Sequence, residues 1–87
     1  DPEQTAAEGV RWSQAALAVR PQNPVVWNRL GGALYHADDL DGAEVALRRA
    51  VALDPRFVWA LSNLGNILKS KGDLNGSLAA HREAVRL

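Results

Sequence analysis

From Val25 onward the apolar positions fall into a helical rhythm. Val26, Trp27, Leu30, Ala33, Leu34 and Ala37 recur at intervals of three and four, which places them on one face of a helix spanning about residues 25–37. A polar knot of three aspartates, Asp38, Asp39 and Asp41, interrupts the pattern. Asp39 stands where an N-cap belongs, and a second helix is predicted over about residues 41–53 with Ala43, Ala46, Leu47, Ala50 and Val51 inward. Pro55 stops it. The same phrase follows again, predicting helices over about residues 58–71 and 75–87 with Gly72-Asp73 as the turn between them. Upstream, a helix ends at Val19-Arg20 before Pro21. Its start has two readings. Thr5 to Glu8, "TAAE", is a capping-box pattern and aligns with Asp39 and Asp73; "DP" at the terminus reads equally as a cap followed by proline at the first helical position.

The rhythm is a repeat. Shifting the chain by 34 residues superposes Leu30 on Leu64, Gly31 on Gly65, Leu34 on Leu68, Asp39 on Asp73, Gly42 on Gly76 and Ala50 on Ala84. A period of this length is the signature of a stacked helical hairpin. It also divides the glycine pair inside the first full hairpin. An interior helical glycine costs about 1 kcal/mol against alanine, so a glycine repeated at the same place in the next unit implies a close helix approach, with Ala43, Ala50, Ser77 and Ala84 as the small residues opposite. Gly32 has Asn66 as its counterpart and lies outside that packing signature.

With "WNRLGGALY", the following Ala43, Leu47 and Ala50, and the closing Pro55, the chain resembles the tetratricopeptide repeat family, and "LSNLGNIL" from Leu61 fits the same frame. The resemblance covers about residues 5–87. It implies an all-α fold of five helices, built from antiparallel hairpins stacked as a right-handed solenoid. The chain reads as one domain, residues 1–87: residues 1–21 supply the second helix of a partial repeat, 24–57 a full repeat and 58–87 a nearly full one. Three departures stand out. Leu61 replaces Trp27, Gly9 falls where Ala43 does, and His81 falls where Leu47 does, so the last helix is expected to be less tightly buried than its predecessor.

Composition narrows the function. Ten Lys and Arg balance ten Asp and Glu, which removes the basic stripe that a nucleic-acid surface needs. The sequence contains no cysteine, so disulfides, thiolate metal sites and cysteine nucleophiles are absent. No apolar run approaches the roughly 20 residues of a membrane span, and the first residues do not read as a signal peptide. The compartment is not specified; a soluble, cytoplasmic chain is the expectation. The missing initiator methionine suggests a chain cut from something longer, and the ends are expected to expose apolar surface around Trp12 and the Leu74, Leu78 and Val85 face. No Ser-His-acid constellation falls within reach of one hairpin, two histidines do not make a metal site, and "LGGAL" lacks the strand and lysine of a phosphate loop. The chain is therefore read as neither an enzyme nor a binder of cofactor or metal.

In the family that the chain resembles, the first helix of each hairpin lines a concave face that holds peptides. The resemblance therefore implies peptide-binding roles for Asn28, Arg29, Tyr35 and His36 from one hairpin and for Trp59, Asn63, Asn66 and Lys69 from the next, with Val25, Gly32, Ser62 and Ser70 on the same face. Asn63 and Asn66 can each donate to and accept from a peptide backbone, as in the asparagine ladder of repeat arrays attached to sugar-transferring enzymes. The carboxylate clamp of chaperone-tail binders is not reproduced: in neither alignment do more than single members match. Blander roles compete at each position. Trp59 would ordinarily pack on the neighbouring repeat, Arg29, Lys69 and Lys71 would be solvated, and His36 would meet the carbonyls of its helix end. The leading expectation is a non-catalytic protein-interaction module binding a peptide or partner domain. The alternatives are the substrate-recognition segment of a larger glycosyl- or sulfotransferase, and a scaffold that self-associates through its open ends.

Overall fold

The structure is a computed structural model, and it describes residues 22–87 together with Gly9, Val10, Arg11 and Gln14. Four helices follow one another: α1 (Pro24–His36), α2 (Leu40–Leu53), α3 (Val58–Ser70) and α4 (Leu74–Arg86). Each lies within about a residue of its expected bounds. Gly9, Val10, Arg11 and Gln14 are helical too and fall within the first of the five expected helices; the capping alternatives at Thr5 and Pro2, the end before Pro21 and the environment of Trp12 lie outside the described residues. All the described regular structure is helical, in two hairpins, α1–α2 and α3–α4, joined by packing of α2 on α3.

The helix starts are set by short side chains. Asp39 accepts a hydrogen bond from the Gly42 amide at 2.9 Å, and Asp73 does the same for Gly76 at 2.9 Å, so two of the four unpartnered N-terminal amide sets gain a carboxylate acceptor near the positive end of the helix dipole. The α1 cap is Asn23, whose side chain accepts from the Val25 and Val26 amides ahead of Pro24 in the first turn. Inside each hairpin the chain reverses through a left-handed residue, Gly72 at φ 86° in the second and Asp38 at φ 63° in the first. Aspartate is among the few side-chain-bearing residues that tolerate this region, which is why the turns superpose although only one has the glycine.

Two apolar clusters hold the array. Val26, Leu30 and Ala46 close the α1–α2 hairpin, with Val10 of the preceding helix packed against them. Ala43, Leu47 and Ala50 of α2 meet Ala60, Leu64, Ile67 and Leu68 of α3 to form the seam between hairpins. Trp27 and Leu34 touch both clusters, and Arg49 lies over the Trp27 ring, 5.9 Å from its centre. The inward residues of α4, Ser77, Ala80 and Ala84, are slightly more exposed than those of α2, while Leu74, Leu78 and Val85 are open to solvent.

The repeated glycine works by a different contact from the one expected. A Cβ on Gly31 would lie 2.7 Å from Leu47 Cγ and 2.9 Å from Cδ2, with the Ala43 carbonyl oxygen at 3.4 Å. Gly31 thus makes room for a large side chain. The alanines opposite contribute small size at the interface and, at Ala43, a backbone oxygen. At Gly65 the neighbour is the His81 ring, with Nε2 at 2.6 Å from the same hypothetical atom. Gly32 differs from both: nothing stands within 4 Å of its missing Cβ.

One expected solvated charge is instead a link between hairpins. Lys71, just past α3, contacts Asp41 at 2.6 Å and Glu44 at 2.8 Å on α2, and Arg48 holds Glu44 from the other side at 2.9 Å. Lys71 and then Arg48 hold the Glu44 carboxyl below its ordinary 4.5. Asp41 and then Glu44 push Lys71 up from 10.5 to about 12.

Three variants separate these packing roles by thermal melt. Gly31→Ala should cost about 1–3 kcal/mol, because Leu47 is fully buried and has nowhere to move, and Gly31→Leu should abolish cooperative unfolding. Gly65→Ala should cost less, since a half-buried imidazole can swing outward. Gly32→Ala should stabilise the chain by about 0.5–1 kcal/mol by helix propensity alone. A Gly31→Ala chain as stable as its parent removes the close-approach account.

The ion link has its own pH signature. Since the Glu44 pKa is lowered on folding, its contribution is complete above about 4.5 and fades as pH falls through the depressed value; the raised Lys71 contributes below 10.5 and fades as pH climbs through about 12. Lys71→Met should flatten both limbs of the melting-temperature profile relative to the parent. Identical profiles for the two chains count against the link.

Candidate functional site

An open groove of about 690 Å³ runs between the first helices of the two hairpins. From α1 it takes Gly32, Tyr35 and His36, and from α3 Asn63, Asn66, Lys69 and Ser70; Leu47 and Ile67 form its apolar floor. The walls follow from helical spacing. Residues 59, 63, 66 and 70 are separated by four, three and four, and residues 25, 29, 32 and 36 repeat that spacing on α1, so each set forms one stripe along its helix. The stripes occupy equivalent places in consecutive repeats, and α1 and α3 touch.

The groove's shape owes much to what is missing. Position 32 carries no side chain and faces open space, whereas the equivalent Asn66 projects an exposed amide. One wall is therefore cut back opposite a polar one. At the open end Tyr35 meets His36 edge-on, with ring centres 5.8 Å apart at 71°.

Five of the eight expected site residues line the groove: Tyr35, His36, Asn63, Asn66 and Lys69. Asn28 sits beneath, where its Oδ1 accepts a hydrogen bond from Asn63 Nδ2 at 3.0 Å. That bond crosses from one hairpin to the next and orients the Asn63 amide, engaging one of its two N–H groups. Arg29 and Trp59 lie on the stripes but outside the groove lining. Trp59 is 77% exposed, so the ordinary expectation that it packs on the adjacent repeat does not hold. Two lining residues were not expected. Leu47 reads as core from its periodicity, and Ile67 carries no sequence expectation; both are buried and back the base of the groove.

Chemically the lining offers two amides, two hydroxyls (Tyr35 and Ser70), two aromatic rings and one ammonium group, and no carboxylate. Among the described residues no cluster of three or more His, Asp or Glu could hold a metal ion, and no helix is long and apolar enough to cross a membrane.

The chain is 47% identical over 51 residues to a peroxisomal targeting signal receptor of Eremothecium gossypii, and 42% identical over 52 residues to the corresponding receptor of Candida albicans; these stretches cover 59% and 60% of the chain and 9% of each receptor. It is 30% identical over 80 residues, 92% of its length, to Protein FlbA of Caulobacter vibrioides, of which it covers 13%. The chain thus spans about a tenth of the length of these relatives. Tetratricopeptide repeat profiles match residues 24–57 and 58–87, the α1–α2 and α3–α4 hairpins, and the chain accordingly belongs to the tetratricopeptide repeat family.

Proposed function

We propose that this chain is a non-catalytic protein-interaction module that holds an extended segment of a partner protein in the groove between α1 and α3. The observation that carries this reading is the pairing of Asn63, oriented by Asn28, with Asn66 one turn along the same stripe. An extended peptide presents alternating N–H and C=O groups about 3.3 Å apart along its axis, and two amides on one helix face can meet both kinds. The buried Leu47 and Ile67 back the base of the groove, so a strand laid there has the apolar interior on one side, and the lower local dielectric strengthens those hydrogen bonds. Similarity to proteins named as receptors of a peroxisomal targeting signal supports a chain that contributes to recognising a signal. Its formal neutrality fits a protein partner better than a nucleic acid.

The test uses decapeptides selected against the 87-residue chain from a displayed random library. Replacing Asn63 and Asn66 together by alanine should weaken their binding at least tenfold, about 1.4 kcal/mol, while costing only about 1 kcal/mol of stability through loss of the Asn28–Asn63 bond, so that cooperative unfolding is retained in the melt. Affinity within twofold of the parent would place the binding surface elsewhere.

A further inference from the structure

The α3 stripe does not end where the groove does. Four residues before Asn63 it reaches Trp59, the most exposed aromatic side chain among the described residues at 77%, and the equivalent place on α1 holds Val25, 42% exposed. A tryptophan left in water on the same helix face as a polar groove is the residue type and placement that dominate binding energy at recognition surfaces, where a large rigid ring gains area at little entropic cost. Beside the other end of the stripe, next to Ser70, stands Lys69, the one side chain of the groove lining that carries a fixed charge, with no carboxylate beside it in that lining. The strip therefore runs from an apolar ring, across two amides, to a cation.

Its length is set by the helix. Ten residues at 1.5 Å rise separate Trp59 from Lys69 by about 15 Å, the span of four to five residues of extended chain. Ser70 and His36 carry the groove one residue past Lys69, so a bound chain has a surface to follow beyond the cation.

We propose that the groove reads an internal, acidic-apolar peptide: a large apolar side chain packs on the Trp59 ring, an Asp or Glu side chain four to five residues away pairs with Lys69, and the backbone between them lies on Asn63 and Asn66. This rests on the peptide-groove reading above and adds to it the class of ligand and the residue that selects it. Trp59 is the specificity-determining residue for the apolar side chain, and Lys69 for the acid.

The experiment is an array of amidated nonapeptides in Ser/Thr filler, through which one Phe and one Glu are walked independently, probed with the 87-residue chain; the best sequence is then titrated by fluorescence anisotropy. Binding should peak at a Phe–Glu separation of four or five. Replacing that Phe by Ala should cost the parent at least tenfold and the Trp59→Ala chain less than twofold. Replacing Glu by Gln should weaken the parent several-fold and leave the Lys69→Gln chain unchanged. Both substitutions are at exposed positions, and unchanged melts will show that the fold is intact. If the alanine pair at Asn63 and Asn66 abolishes binding while Trp59→Ala leaves the Phe preference intact, the groove stands and this inference falls. If no array peptide binds while library-selected peptides do, or if peptides ending in a free carboxylate bind better than the internal Glu series, the proposed ligand class is wrong.

Discussion

Leu47 reaches the backbone of α1 only because position 31 carries no side chain, and three features meet at that contact. The leucine is fully buried, it belongs to the cluster that joins α2 to α3, and it backs the base of the groove. A methyl group at Gly31 would sit 2.7 Å from Leu47 Cγ, well inside contact distance, so α1 would be driven off α2 or Leu47 off α3. Either movement opens the seam, because a close-packed interior transmits strain instead of absorbing it. The helix-propensity loss at one glycine, about 1 kcal/mol, is smaller than the roughly 2–5 kcal/mol at stake in a buried leucine. Packing decides the residue, and propensity yields.

Polar ties across the seam refine an arrangement that the apolar cluster has already made. On the groove side Asn63 donates to Asn28, and on the far flank Lys71 bridges to Asp41 and Glu44. Exposed ion pairs contribute little net stability, and a single half-buried amide pair is worth about 1 kcal/mol. Seven buried residues from two helices outweigh both. What the polar ties supply is direction. The amide pair turns Asn63 toward the groove, and the lysine link ties the C-terminal end of α3, where the groove's cation stands, to the start of α2. Neighbouring units of a repeat array interact only with each other, so these few groups are the polar links between the two hairpins that the described residues show.

Most of the fold was legible in the sequence, because a 34-residue period with apolar residues at helical spacing leaves few alternatives. The four described helices, the aspartate caps and the turn at Gly72 all follow from local chemistry. What stayed hidden was non-local. The three-and-four rhythm says that Gly31 faces a neighbour, but not that the neighbour is Leu47, since the small residues of α2 occupy the same face. Lys71 looks like any exposed cation until α2 and α3 are set side by side. Trp59 and Trp27 are alike in composition, yet one bridges two clusters and the other stands in solvent, because they occupy different faces of equivalent helices. Of the site, the amides were legible from the stripe, whereas its base was not: that the buried Leu47 of α2 and Ile67 of α3 back the groove follows only from how the two hairpins are set side by side.

Comparing the two hairpins with each other sorts structure from recognition without reference to any other protein. Within the first helices of the two hairpins, α1 and α3, the identical pairs are Leu30 with Leu64, Gly31 with Gly65 and Leu34 with Leu68, and they face the interior or the partner helix. Other core pairs differ only in apolar size, as Val26 with Ala60 and Trp27 with Leu61. Along the groove stripe every pair changes residue, and three of the four change chemical character: Arg29 with Asn63, Gly32 with Asn66 and His36 with Ser70, while Val25 with Trp59 changes an aliphatic for an indole. Two walls of identical residues would make a symmetric surface able to hold a strand in more than one register. Here an amide opposes open space, a serine opposes an imidazole, and an indole opposes a valine. A ligand displaced by one repeat meets different chemistry at every contact, so the asymmetry between otherwise matched helices is what gives this groove a register.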